Sequence, residues 1–430
     1  MSTRMAGRDA LAMDIADRVA EAMADEQLRR RRDGRDALSA EEEDRLARDI
    51  ARLELLRTDE SKVAASDGID DVISSSVAHV LGLGRLQPLL DDDEITDIHV
   101  RGNEHVWVKL RDGRRDRRDP VVRTDEELVT LIRRAAARLG RMERRFDAGT
   151  PELNMQLPDG SRLFAVMDVS LRPSLVIRRH RFELASLSEL RHRGMIDRRL
   201  HDFLGSAVRA RRNVVIAGGT GSGKTTLLRA LINEISPGER IVTIEDAYEL
   251  GIDRFADRHP DHDALQSRPS NVEGEGEITL ADLTRMALRM DPDRVIVGEV
   301  RGAEAFPMLM AMSQGNDGSM CTMHADGSKS AFSKLAAYVS MASTGLPIDT
   351  VNVLMASAVH FVVHVEHRDG RRMVTSIREV IDSDGASIVS NEIYRTDRAG
   401  NSAWPVPLRA ATRALLSEYG YADRETGGGS

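Results

Sequence analysis

The sequence predicts an α/β protein, a parallel-sheet P-loop domain preceded by a smaller α+β domain and a charged helical amino-terminal extension. Three observations carry this expectation. The run Gly218-Gly219-Thr220-Gly221-Ser222-Gly223-Lys224-Thr225 fits G-x-x-x-x-G-K-[ST]; it follows the apolar stretch 214–217 and precedes a helical segment from Thr226 to Glu234. That strand-loop-helix setting is what a phosphate cradle requires. Near-continuous aliphatic strands alternate with helical segments from Val214 onward, the pattern of a parallel sheet covered on both faces. Charged residues make up 30% of the 430-residue chain and aromatics 3%, which points to a helix-rich, aliphatic core rather than a sandwich or barrel.

In chain order, Met13 to Leu56 is dense in charge with Ala and Leu at helical spacing, and reads as one or two exposed, solvated helices. The arginines at 29–32 are offset by Asp33, Asp36 and the glutamates that follow. A first domain starts near Ile69. Ile95 to Val100 alternates as a half-buried strand, Val106 to Leu110 leads into a turn at Asp112-Gly113, Glu126 to Leu139 has helical periodicity, and 156–166 and 174–179 are strands around a loop. The expected division is an extension over 1–68, an α+β domain over 69–182, a linker over 183–196, the P-loop domain over 197–410 and a carboxyl-terminal tail over 411–430.

Within the P-loop domain the expected strands are 214–217, 241–244, 295–297 and 319–323, with a closing hairpin at 361–366 and 372–380. The glycines let backbone N–H groups converge on phosphate oxygens and the following helix directs its positive end at them; Lys224 can neutralise β/γ charge and Thr225 can hold Mg²⁺. Lysine is scarce, found only at 62, 109, 224, 329 and 334, so a chance match to the motif is improbable. Gly218 to Thr226 are therefore the candidate nucleotide-binding residues. Two further strands end in acids, Ile241-Val242-Thr243-Ile244-Glu245 and Val295-Ile296-Val297-Gly298-Glu299, at the edge of a parallel sheet where ligands sit.

Thr243 to Leu250 resembles the acidic box of the secretion ATPase superfamily, the ring-forming motors of type II and type IV secretion and type IV pili. The runs Arg268 to Thr279 and Leu288 to Ala305, with 157–162 and 177–179, are similar to the CpaF-type ATPases of Flp (Tad) pilus assembly, over roughly Val72 to Val380. The resemblance implies a RecA-like motor domain that binds ATP and Mg²⁺. By position it makes Glu245 the base that orients water, Glu299 the Walker B acid near Mg²⁺, Arg162 and Arg178 charge-stabilising arginines, and His324, in Gly315 to Ala325, a γ-phosphate sensor. It also implies a homo-oligomer, a hexamer, working on an inner-membrane platform protein. Three departures stand. Asn316 occupies a place where the family has histidine, Glu275 one where it tends to a basic residue, and 167–174 lacks the family's proline-rich form.

Several classes are excluded. The single cysteine, Cys321, allows neither an intrachain disulfide nor a four-cysteine zinc insert. A net charge of -9 without a basic, aromatic-interleaved stripe argues against direct nucleic-acid binding. The amino terminus lacks the apolar core of a signal peptide and no run of eighteen apolar residues occurs. The expectation is a cytoplasmic protein, peripheral at the inner face of the membrane and touching it only through partners.

Overall fold

The computed structural model describes residues 2–36, 38–58, 69–139, 145–179, 185–270, 274–368, 370–397 and 400–422. Expectations for 182–184, 271–273 and the Gly/Ser-rich end at 423–430 lie outside them. The chain divides into two units, Met1–Arg181 and Phe182–Ser430. No helix among the described residues is long and apolar enough to cross a membrane.

The first unit opens with α1 (Ser2–Arg32), α2 (Ala40–Leu56) and α3 (Ile69–Leu81). α1 and α2 were expected to be solvated, yet they share a core with α3. Leu11, Ile15, Val19 and Met23 of α1 recur every fourth residue, as do Ala47, Ala51 and Leu55 of α2, and both stripes pack with Val72, Ile73, Val77 and Val80 of α3. The apolar residues are few, but each lies on one helical stripe, and the small alanines let the helices approach. Ser76 Oγ donates to the Ala12 carbonyl at 2.9 Å inside this cluster. Ser39 and Glu42 form a reciprocal capping box that starts α2.

Next come α4 (Gln87–Asp91), β1 (Ile95–Arg101), β2 (Val106–Leu110), β3 (Arg115–Arg118), α5 (Asp125–Leu139), β4 (Glu152–Gln156), β5 (Arg162–Val166) and β6 (Ser174–Arg178). The strands form an antiparallel sheet in the order β3-β2-β1-β6-β5-β4. Ile98, Val100, Leu163, Ala165, Leu175 and Ile177 pack with Leu128, Ile132 and Ala135 of α5. This is the α+β architecture expected from the alternating strands.

The second unit contains α6 (Leu187–His192), α7 (Arg198–Arg209), β7 (Val214–Gly218), α8 (Lys224–Ile232), β8 (Ile241–Glu245), β9 (His262–Gln266), α9 (Leu280–Ala287), β10 (Arg294–Val300), α10 (Ala305–Ser313), β11 (Met320–Met323), α11 (Ser330–Met341), α12 (Ile348–Ala358), β12 (Phe361–Arg368), β13 (Arg371–Ser383), β14 (Ile388–Thr396), β15 (Ser402–Ala403) and α13 (Ala410–Glu418). Its sheet runs β15-β14-β13-β12-β7-β11-β10-β8-β9, parallel from β12 to β9 and antiparallel beyond. Val214 and Ile216 face one core with α7 and α8, whereas Val215 and Ala217 face the other with α9 to α12. Both faces of the central strands are thus covered, and this is why they read as unbroken aliphatic runs.

Two stretches pack more firmly than their sequence suggested. Residues 185–196, expected as a linker, contribute Leu187, Leu190, Met195 and Ile196 to the core. Ala410–Glu418, expected in the tail, is a helix whose Leu416 is fully buried, and Tyr421 beyond it meets Phe203 edge-on at 5.9 Å. In both, isolated apolar residues find one existing hydrophobic surface, which a local pattern does not reveal.

Candidate nucleotide site

The strand order places the carboxyl ends of β7, β11, β10 and β8 side by side. The loop after β7 carries the glycine-rich run, His324 follows β11, Glu299 stands near the end of β10, and Glu245 ends β8. Residues from 218 to 324 therefore converge at one edge, as crevices at the carboxyl edges of parallel sheets do.

The loop's shape depends on glycine at two kinds of position. Gly221 and Gly223 have φ of 71° and 101°, a region that side chains disfavour. Gly218 is instead pressed by its neighbour, since a Cβ there would lie 2.3 Å from the Val365 carbonyl oxygen of β12. Lys224 is buried, with its Nζ donating to the carbonyls of Gly218 and Gly219 at 3.1 and 2.8 Å. Burial holds its pKa below the ordinary lysine value, opposed by the charge of Glu299. Ser222 Oγ is buried without a hydrogen-bond partner among the described residues. Gly219, Thr220 and Gly221 are exposed, and Thr225 and Thr226 are half-buried at the start of α8.

Glu245 is 3% exposed. Its Oε2 accepts from the backbone N–H groups of Glu249 and Leu250, both at 2.7 Å, while Oε1 is buried without a partner among the described residues. Burial raises its pKa from 4.5 to about 7 against the two N–H donors. Gly298 leaves room opposite it, since a Cβ there would approach Glu245 Cγ to 3.2 Å.

Between Val297 and Val300 the pairing of β10 with β11 shifts register. Such a bulge re-aims a side chain, and here Glu299 Oε1 meets His324 Nε2 at 2.8 Å. His324 has its pKa lowered by burial and by the Lys224 charge, with Glu299 opposing. Behind it His364, 3% exposed, bonds the Ala325 backbone and holds Nδ1 2.9 Å from Thr375 Oγ1. Glu304 Oε1 accepts from the N–H groups of Arg301 and Gly302 at 2.5 and 2.9 Å, and Arg301 pairs with Asp246 at 2.8 Å.

The sequence-derived residues fall into two groups. Lys224, Glu245, Glu299 and His324 meet in the second unit. Arg162 and Arg178 belong to the first, where they are direct cross-strand partners on β5 and β6. Arg162 Nε donates to Asn154 Oδ1 at 3.2 Å, and the exposed Arg178 pairs with Asp97 at 3.1 Å. Asn316 sits before the amino end of β11, its amide donating to the Pro292 carbonyl at 2.5 Å, at the sheet edge opposite the P-loop. Asn316 thus stands at the opposite end of β11 from His324. Residues that sequence reasoning missed are Gly298, His364 and Arg372, whose Nε donates to the Gly221 carbonyl at 3.1 Å. Only the Gly-Glu pair inside an apolar strand could have signalled the first.

These features fit a nucleotide with its metal: an orphaned carboxylate oxygen on Glu245, a glycine cradle that a Cβ would fill, and a buried lysine within the field of an acid at the same sheet edge. A family model described as a type II/IV secretion system protein matches residues 80–395. Two Mycobacterium tuberculosis proteins named for conjugal transfer are 37% identical over 327 residues, spanning 74% of this chain and 89% of theirs. The type IV secretion system protein PtlH of Bordetella pertussis is 34% identical over 328 residues, spanning 69% of this chain and 93% of its own. Among solved structures, the VirB11 ATPase of Brucella suis in complex with sulphate is 28% identical, covers 69% of this chain and 96% of its own, and has a TM-score of 0.37.

Proposed function

We propose, from the premise that the chain belongs to the type II/IV secretion system protein family, that it hydrolyses Mg-ATP and uses the cycle to drive a secretion or pilus-assembly machine. The observation that carries the reading is the meeting of Lys224, Glu245 and the Glu299–His324 pair at one sheet edge beside the glycine loop. The loop amides of 218–224, Thr225 and Thr226 hold the phosphates, and Lys224 neutralises their β/γ charge.

Thr225 and Glu299 are the residues that would hold Mg²⁺, which would supply positive charge to offset that of the phosphates. Glu245 takes the proton of the attacking water at Oε1, the oxygen that its two backbone donors leave free. His324 senses the terminal phosphate through its bond to Glu299. Arg162 and Arg178 supply planar, permanently charged donors to the transferred phosphoryl group. Their cross-strand placement supports that role by setting two guanidinium groups side by side on one face of the sheet, with Asp97 offsetting only Arg178.

The assembly is a homo-hexameric ring, cytoplasmic and peripheral, acting on an inner-membrane platform protein without contacting nucleic acid itself. The run 268–305 supports Flp/Tad pilus assembly as the machine. A second reading, a type IV secretion motor with DNA or protein as cargo, draws on the names of the Mycobacterium and Bordetella relatives. The test of the enzymatic reading is phosphate release by the purified protein with its mass in solution. Turnover by a ring-sized species, lost in Lys224→Ala and in Glu245→Gln, is expected; ATP binding without turnover in the wild type refutes it. Pilin and prepilin peptidase genes beside this one would favour the pilus, and conjugation genes the second reading.

A further inference from the structure

The hairpin of β12 and β13 reaches past the glycine loop. Val365 of β12 is the register partner of Gly218, and the strand continues to Arg368 before returning with Arg372 opposite His367. Arg372 is exposed, and its Nε donates to the Gly221 carbonyl at 3.1 Å. Its Cδ lies 3.1 Å from the point a Cβ on Gly223 would occupy, and Met195 Cε lies 3.4 Å from it. Val374 N–H donates to the Met195 carbonyl at 3.1 Å, tying that wall to β13. The arginine stem and Met195 thus flank the turn Gly221–Gly223.

The charge at this point is uncompensated. On the same hairpin Arg368 pairs with Glu366 at 2.5 Å and Arg378 faces Glu392 at 4.0 Å. Arg372 meets no carboxylate among the described residues, although the chain as a whole is acidic. The carboxylates Glu299 and Glu245 at this sheet edge are bonded to His324 and to backbone amides, not to Arg372. One edge of the Arg372 fork is spent on the loop carbonyl, and the two terminal nitrogens remain for an anion that docks on the same loop.

We propose that Arg372 is a nucleotide-binding residue that contacts the α-phosphate and ribose, the part common to ATP and ADP. This rests on the ATP reading above. The side of the sheet decides which part of the nucleotide it meets. Glu299, His324 and Glu245 come from β10, β11 and β8, on one side of β7, and mark where the terminal phosphate reacts. Arg372 comes from β13 by way of β12, on the other side of β7. It therefore holds the nucleotide in both substrate and product states, adding uniform binding rather than transition-state stabilisation.

Calorimetric titration of the full chain with Mg-ADP and with a non-hydrolysable Mg-ATP analogue tests this, with wild type, Arg372→Ala, Arg372→Lys and Arg372→Met compared alongside steady-state turnover. Removal of a charged hydrogen-bonding group predicts affinity for both ligands weaker by about tenfold or more in the Ala variant. KM rises by the same factor while kcat stays within about twofold. The Met variant keeps the stem over Gly223 but lacks the fork, so it binds like Ala; Lys recovers part of the loss. Wild-type affinity in the Ala variant overturns the proposal, as does recovery by Met. A loss confined to the ATP analogue overturns the assigned position. A wild-type chain that binds neither ligand refutes the ATP reading itself, and this proposal with it.

Discussion

Glu245 couples the proposed chemistry to stability in a way that pH exposes. Burial raises its carboxyl from 4.5 to about 7, so holding the ionised form in the folded chain costs about 3 kcal/mol relative to the unfolded one. The folded state binds more protons than the unfolded state between those two values, and this contribution therefore erodes stability as pH rises from about 4.5 through 7. Glu245→Gln keeps an oxygen for the Glu249 and Leu250 N–H groups and removes the titration. The melting-temperature difference between variant and wild type should then move about 5–10 °C in the variant's favour between pH 5 and pH 8.5. Over the same range wild-type kcat/KM for ATP should rise with a midpoint near 7, since a base must be ionised to accept a proton. The variant should lose about a hundredfold or more at the alkaline end, and the gap should narrow as pH falls and the wild-type base protonates. Calorimetry and phosphate release on the two proteins across five pH values measure both. A wild-type kcat/KM flat in pH, with a melting difference that does not move, refutes the reasoning that a buried, half-satisfied carboxylate is the base.

Three further outcomes follow from the geometry. Gly218→Ala sets a Cβ 2.3 Å from the Val365 carbonyl, backbone against backbone, so nucleotide titration should show no binding and the melting temperature should fall. Asn213→Ala unpairs a buried hub whose Nδ2 donates to the Met312 and Ala358 carbonyls and whose Oδ1 accepts from Gly318 and Ser319 N–H; denaturant unfolding should show a loss of about 3 kcal/mol or more. Arg162→Ala relieves a like-charge cross-strand pair, so it should leave the melting temperature level or slightly raised while phosphate release falls about tenfold or more. Equal loss of stability and turnover would make that arginine structural.

The central strands and the glycine loop were legible because their environments are local rules. A strand buried on both faces is largely aliphatic, as at Val295-Ile296-Val297, and a turn with positive φ favours glycine, as at Gly221 and Gly223. The edge strand His262–Gln266 is missing from the expected strands because it is only half-buried and contains little apolar sequence. β14 escaped for a similar reason, its Ile388–Thr396 mixing polar and apolar residues at a sheet margin. The helices before residue 69 were read as solvated because their core needs all three at once, each supplying only one narrow stripe.

The chain's own sequence determined the fold class and the glycine loop with Lys224, and marked Glu245 and Glu299 as acids at strand ends, because strand-end position and residue type are both written locally; His324 entered through the resemblance alone. Tertiary structure alone decided how those groups act on one another. The β10 bulge that turns Glu299 onto His324, the Gly298 gap that admits Glu245, the burial that raises its pKa and the Arg372 contact with Gly221 each join residues far apart in sequence. Such contacts depend on strand order and register, which arise from closing the whole sheet and which no single segment carries.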